Sequence, residues 1–137
     1  MVIASFKIRP TKRARLYYNV KIFDTCAEMY DYSQNGREFK EGRYLPSPNC
    51  GGLCSSWYNP NKPYECGEVL LSKEELGARV VVHELSHAMF GFKRRKQIGD
   101  LEIDENGNIN ASAEEWSVDA IAFMVDKTYH EINKLCL

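Results

Sequence analysis

The alternation of apolar and polar side chains in the first part of the chain predicts two paired strands. Residues 2–8 and 16–23 alternate in this way and are rich in branched and aromatic side chains. The segment between them, residues 10–14, begins with a proline, so the pattern is typical of a β-hairpin. Residues 25–34 predict a first helix, which is expected to end at the turn signal Asn35-Gly36.

The middle of the chain predicts a long loop over residues 43–66, which hold four of the five prolines and two adjacent glycines. One strand is expected within this loop, near residues 55–58. Another is expected at residues 67–72, where an apolar run leads directly into the next helix. If that strand forms the edge of the sheet, its backbone could bind an extended peptide. The alternative is an ordinary edge strand that Glu68 protects from pairing.

Apolar residues then recur with the period of a helix over residues 73–90. Ser72 and Glu75 form an S-x-x-E capping box at its start, and Gly91 is expected to end it. Spacings of four, three and four define one stripe of the helix: Leu76, Val80, His83 and His87. The two histidines are therefore expected to continue an inward-facing apolar stripe.

The pattern H-E-x-x-H at residues 83–87 is the strongest chemical signal in the chain. His83 and His87 lie one helical turn apart, so both imidazoles project from one face and can bind a single ion. Catalytic zinc takes three protein ligands and keeps one position open. Glu84 is placed to reach a water on that ion, as a general base does. The alternative is two histidines that fall four residues apart by chance on a buried face.

A second helix, predicted over residues 113–123 with Ser112 as its cap, can supply the third ligand. Glu115 and Asp119 lie four residues apart and share a face. This arrangement suits a glutamate on zinc with an aspartate that hydrogen-bonds a ligand histidine. Glu114 is the main alternative to Glu115 as the ligand. Both glutamates could instead serve only to complement the helix dipole.

The two helices together resemble the gluzincin arrangement, His83-Glu84-x-x-His87 followed by Glu115-x-x-x-Asp119. The second helix is similar to the E-E-x-x-x-[DE]-x-x-A-F stretch of ArdC-type anti-restriction and ImmA/IrrE-type peptidase domains. Small phage and mobile-element metallopeptidases use the same two-helix pattern. The resemblance covers residues 66–130 and implies a zincin-like α+β fold, with a small N-terminal antiparallel sheet, an active-site helix and a C-terminal helix. A metzincin is disfavoured, because Phe90 and Lys93 replace that family's glycine and third histidine.

Length and cysteine content favour one domain, residues 1–137, in the cytoplasm. No apolar run approaches the roughly 18 residues of a membrane span, and the N-terminus lacks the features of a signal peptide. Five cysteines is an odd number, which favours reduced thiols. Cys50, Cys54 and Cys66 lack a paired C-x-x-C, so free thiols are favoured over a second metal site.

Charge is distributed unevenly along the chain. The first 23 residues have six basic side chains and no acidic one, and residues 92–97 form a second basic cluster in an expected exposed loop. A nucleic-acid or acidic-partner surface is one interpretation. The sequence favours the simpler one, a solvated hairpin face. Residues 101–110 predict a further hairpin rather than the calcium loop that they partly match.

The expected function is that of a zinc metallopeptidase, which hydrolyses peptide bonds in a specific protein substrate. Zn²⁺ would be held by three residues, His83, His87 and Glu115, with Glu84 as the catalytic base. The developing oxyanion needs a donor, for which the candidates are His130, Tyr129 and Tyr64. Two other classes stay open: a catalytically silent, metal-containing binding module with an anti-restriction or anti-defence role, and a nucleic-acid-associated regulator. The sequence does not predict the oligomeric state.

Overall fold

The computed structural model describes residues 1–35, 51–96 and 111–135 of the chain. These residues form an α+β structure with one four-stranded sheet and three α-helices, so the predicted class is confirmed. The elements follow one another as β1 (Val2–Ile8), β2 (Tyr17–Phe23), α1 (Cys26–Asn35), β3 (Gly52–Ser56), β4 (Glu65–Ser72), a 3₁₀ helix (Lys73–Glu75), α2 (Ala78–Lys96) and α3 (Ala111–Asn133).

The N-terminal part of the chain folds as its sequence pattern predicts. Strands β1 and β2 pair antiparallel, with Phe6 opposite Val20. Helix α1 follows at once, and the Thr25 hydroxyl caps it by accepting the backbone N–H of Glu28 at 3.1 Å. The predicted hairpin and first helix are therefore confirmed.

The sheet is mixed, so the expectation of a small N-terminal antiparallel sheet holds for the β1–β2 pair but not for the whole sheet. Its strand order is β1-β2-β4-β3, with β2 parallel to β4 and β3 antiparallel to β4. Strand β4 thus lies in the centre of the sheet, and all eight of its residues are buried. The prediction that residues 67–72 form the edge is also wrong, because β2 and β3 occupy both sides of β4. In the described part of the chain, the strand beyond β4 is β3.

Helix α2 begins later and ends later than its sequence pattern predicts. Ser72 caps the 3₁₀ helix rather than α2, because its hydroxyl accepts the N–H of Glu74 at 3.2 Å. Gly91 does not end the helix, which continues to Lys96. A Cβ at Gly91 would overlap the hydroxyl of the buried Tyr18, so this glycine serves close packing. The basic cluster that begins at residue 92 is helical as far as Lys96, and Lys93 within it is buried, so the expected loop is wrong there.

Helical layers cover both faces of the sheet. The main core lies between the sheet and helices α2 and α3, and includes Tyr18, Val20, Leu85 and Met124. A smaller cluster, formed by Phe23, Met29 and Leu70, lies under α1 on the other face. This layering fixes α2 against β3 and β4.

Further sequence expectations concern the cysteines, the second predicted helix and the membrane. Cys26 and Cys66 are free thiols in the described ranges and Cys54 is a half-buried cysteine of β3, while Cys50 and the hairpin predicted at residues 101–110 lie outside these ranges. Helix α3 begins at Ala111 and is longer than the segment predicted, residues 113–123. Across the described ranges, none of the helices combines the length and the apolar character of a membrane span.

Candidate active site

The two histidines of the H-E-x-x-H pattern lie on the exposed face of α2. The His83 side chain is 65% exposed, and His87 is exposed as well. Their ring centroids are 4.9 Å apart with an interplanar angle of 76°. The expectation that they continue an inward-facing stripe is wrong, because α2 buries a different set of positions: Val81, Leu85, Ala88 and Phe92. The two imidazoles do share one face of the helix, as predicted.

Glu84, unlike the two histidines, is buried. Its residue surface is 6% exposed, and its Oε1 lies 3.7 Å from Nε2 of His83. Burial raises the pKa of this carboxyl from its ordinary value of 4.5 to about 7, because an ionised carboxylate loses its hydration there. A carboxyl that exchanges protons near neutral pH, beside the exposed imidazole of His83, is typical of a general acid or base.

Strand β3 explains why Glu84 can be buried. A Cβ at Gly52 would lie 2.8 Å from Cγ of Glu84 and 3.0 Å from Cγ1 of Val80, closer than side chains normally approach. The absence of a side chain at this position lets β3 lie directly against α2 and cover the carboxylate stem. The sequence interpretation missed this role of Gly52, which it assigned to a loop. The available signal was the adjacent glycine pair Gly51-Gly52.

The acidic residues predicted for the second helix are all on the surface of α3. Glu114, Glu115 and Asp119 are all exposed. The buried positions of α3 form a separate stripe: Ala113, Ser117, Ala120, Met124, Thr128 and Ile132. In residues 1–35, 51–96 and 111–135, no group of three or more His, Cys, Asp and Glu side chains is arranged to hold a metal. The structure therefore groups His83 with His87 but not Glu115 with them, and the third ligand stays a prediction.

The candidates for an oxyanion donor lie in two places. Tyr64 precedes β4 and accepts a hydrogen bond from Arg15 at 3.2 Å. Tyr129 and His130 line a cavity of about 370 Å³ near the end of α3. In the described part of the chain, no hydrogen bond links any of these three to His83, Glu84 or His87. The donor therefore stays unassigned.

Metal-free protein is expected to lose stability as the pH rises from about 4.5 to about 7. The unfolded chain ionises Glu84 near 4.5 and the folded chain near 7, so between these values only the folded state keeps the proton. Rising pH therefore lowers the free energy of unfolding, and the total decrease is about 3 kcal/mol once the pH is above both pKa values. Glu84→Gln should remove this loss of stability at higher pH, because glutamine does not ionise.

The measurement is urea unfolding of both proteins with a chelator present, at about pH 5 and about pH 8. The variant should gain stability over the wild-type chain mainly at the higher pH. An advantage of equal size at both pH values would contradict the shifted pKa of Glu84.

The site described by the structure thus consists of an exposed histidine pair and a buried glutamate on α2, covered on one side by Gly52 of β3. Comparisons with protein-family models, with curated proteins and with solved structures gave no match. Any function must therefore be inferred from the residues of this chain.

Proposed function

We propose that this chain is a zinc-dependent metallopeptidase that cleaves peptide bonds in a specific protein substrate. The observation that supports it best is Glu84, a buried carboxyl with a pKa of about 7 that lies between two accessible histidines in the sequence. Burial of a carboxylate is costly, so a position that only fills space is better served by an apolar residue. A general base, by contrast, works best when its pKa is close to the working pH.

The histidine pair fits zinc by its donor chemistry. Neutral imidazole is a common zinc ligand, and both rings project from one accessible face of α2. We propose Glu115 as the third ligand, with Asp119 as the residue that orients a ligand histidine; both assignments rest on the sequence pattern. When bound, zinc would polarise the scissile carbonyl and lower the pKa of a water to about 7.

The residues of the chain supply the proton transfers. Glu84 would accept a proton from the attacking water and later deliver it to the leaving amine. Its stem packs against β3 at Gly52, and its carboxyl lies 3.7 Å from Nε2 of His83. Pre-organisation of this kind lowers the cost of reaching the reactive geometry. The finer fold assignment, a zincin-like domain in the cytoplasm, belongs to the same proposal.

A binding module that keeps the metal scaffold but performs no chemistry is the alternative. The buried carboxyl of Glu84 argues against it, because binding to an ion through two imidazoles does not need an ionisable group at that position. A silent scaffold would be more stable with an apolar or amide side chain there.

The protein is expected to purify with about one zinc per chain. His83→Ala and His87→Ala should each remove most of the metal, because two of its proposed ligands come from this single helical turn. Both side chains are exposed, so the metal-free variants should keep the fold of the metal-free wild-type chain. Zinc content by elemental analysis and secondary structure by circular dichroism measure the two effects. Full zinc content in both variants would contradict the site.

Glu114 provides a matched control for the third ligand, since it is an exposed glutamate on the same turn of α3 as Glu115. Glu115→Ala should weaken zinc binding far more than Glu114→Ala, and Asp119→Asn should weaken it by about 10- to 100-fold. If Glu114→Ala instead weakened zinc binding more than Glu115→Ala, Glu114 would be the third ligand, and the proposed class of enzyme would not change.

A further inference from the structure

Three separate segments of the chain meet at the end of the sheet where β4 begins. The backbone N–H of Tyr17 donates to the carbonyl of Tyr64 at 2.9 Å, which joins the β1–β2 turn to the β3–β4 turn. Arg95, near the end of α2, donates to the carbonyl of Pro63 at 2.9 Å and to that of Glu65 at 3.1 Å. The β1–β2 turn, the β3–β4 turn and the end of α2 therefore form one continuous surface.

This surface concentrates positive charge. Half of the 18 basic residues of the chain lie in these three segments or, in the case of Lys7, at the adjoining end of β1: Lys7, Arg9, Lys12, Arg13, Arg15, Lys62, Arg94, Arg95 and Lys96. Among the residues that the structure describes, no carboxylate forms an ion pair with any of them. The carboxylate of Glu65 is buried and accepts hydrogen bonds from Asn19 and Trp57 instead. The sequence shows two separate basic clusters, and the fold brings them to one end of the molecule.

Aromatic rings are interleaved with these cations. Nζ of Lys7 lies 4.4 Å from the ring centre of Tyr17, and the Arg95 guanidinium lies 4.9 Å from that of Tyr58. Arg15 lies beside Tyr64, which is 45% exposed, and Tyr58 is 62% exposed. Each ring is thus held by a cation, which fixes its orientation while much of the tyrosine stays accessible. We call the nine cations with Tyr17, Tyr58 and Tyr64 the basic–aromatic surface.

We propose that the basic–aromatic surface binds single-stranded nucleic acid. Cations along a continuous surface attract a phosphate backbone, and exposed tyrosines offer faces on which unpaired bases can stack. A duplex would use the cations alone, because its bases are already stacked on one another. An acidic protein would likewise have no need of the exposed rings of Tyr58 and Tyr64.

The proposal goes beyond the proposed peptidase and does not depend on it. Arg95 is eight residues beyond His87 on α2, which places it about 12 Å further along the helix axis. Binding should therefore be unchanged in Glu84→Gln and in the presence of a chelator. Loss of peptidase activity would leave the proposal standing, and loss of nucleic-acid binding would leave the peptidase standing.

The test is fluorescence anisotropy of the full chain with a labelled oligothymidylate of about ten nucleotides, at several salt concentrations. We expect binding that weakens as salt rises, and weaker binding to a duplex of equal length. Tyr58→Ala with Tyr64→Ala should lower affinity at least about tenfold, because the bases no longer have these rings to stack on. Lys12→Gln with Arg13→Gln should reduce the salt slope by about 0.7 for each phosphate that is no longer neutralised.

Matched controls separate this surface from general effects of charge and of exposed aromatics. Lys127→Gln with Lys134→Gln removes two positive charges, as Lys12→Gln with Arg13→Gln does, but at the C-terminal end of α3 and just beyond it. Phe123→Ala removes an exposed aromatic ring from α3. Neither control should change nucleic-acid binding. Circular dichroism confirms that each variant folds. Absence of binding by wild-type protein at low salt would overturn the proposal. Equal binding of a polyglutamate peptide, with no effect of the tyrosine changes, would also overturn it in favour of an acidic protein partner.

Discussion

Glu84→Gln is expected to lower the rate of peptide-bond cleavage by about 10²- to 10⁴-fold while the fold and the zinc content are retained. Glutamine has nearly the same shape as glutamate, so it can occupy the space beside Gly52, but its amide cannot accept the proton of the attacking water. The effect should fall on the chemical step, because the side chain is 8% exposed and offers little surface to a substrate.

The substrate is identified by capturing proteins that bind to the inactive Glu84→Gln variant. A folded, zinc-loaded Glu84→Gln chain should retain bound partners that the wild-type chain releases, and each trapped partner is then incubated with wild-type protein with and without chelator. Glu75→Gln is the matched control, since Glu75 is an exposed glutamate that precedes the same helix. A partner that is bound equally by both proteins and is never cut would favour the binding module.

Gly91→Ala is expected to destabilise the fold by about 3 kcal/mol, although alanine is the better helix former. The added methyl group would overlap the hydroxyl of Tyr18 and approach Oγ of Ser56 to 3.1 Å. Tyr18 cannot move aside, because it is fully buried and shares a 2.6 Å hydrogen bond with Ser56. Its ring also lies edge-on to Phe92, with centroids 4.9 Å apart.

Gly77→Ala is the matched control, because a Cβ at that position meets nothing within 4 Å. Urea unfolding should place this control within about 0.5 kcal/mol of the wild-type chain. Adding Tyr18→Phe to Gly91→Ala should recover part of the stability, since it removes the atom with which the methyl group collides. A Gly91→Ala chain as stable as the wild type would contradict the close packing of α2 on β2.

The helical period of α2 could be predicted from the sequence, but its rotation about its axis could not. Three consecutive valines, residues 80–82, place an apolar side chain on several adjacent faces of the helix. The sequence therefore gives a helical apolar stripe that ends in His83 and His87 as well as the stripe that is buried in the structure. Only contacts with the sheet decide between them, and they bury Val81 and Leu85. The pairing of two imidazoles on one face was predictable, because it depends on spacing within one turn and not on the orientation of the helix.

The environment of Glu84 could not be predicted for a related reason. Gly52 lies 32 residues before it in the sequence and reads as part of a proline-rich loop. Its role appears only when β3 is placed against α2, which follows from the pairing of β3 with β4. Short-range sequence patterns are enough to predict the strands and helices themselves. Which strand lies in the centre of the sheet depends instead on contacts between segments that are distant in the sequence. The third ligand, on a separate helix, depends on contacts of the same long-range kind.

The strand order has a consequence for how the molecule assembles and opens. Strands β1 and β2 form one local hairpin, and β3 and β4 form another, so each pair can form soon after its residues meet. The parallel seam between β2 and β4, with Val20 opposite Val69, is the contact that unites them across a long stretch of chain. Closing it costs more chain entropy than either turn does. We therefore expect partial opening to separate the β1–β2 hairpin from the β3–β4 hairpin along this seam, an event that hydrogen exchange can detect. Because β3 covers Glu84, this side chain would become exposed when the β3–β4 hairpin leaves α2.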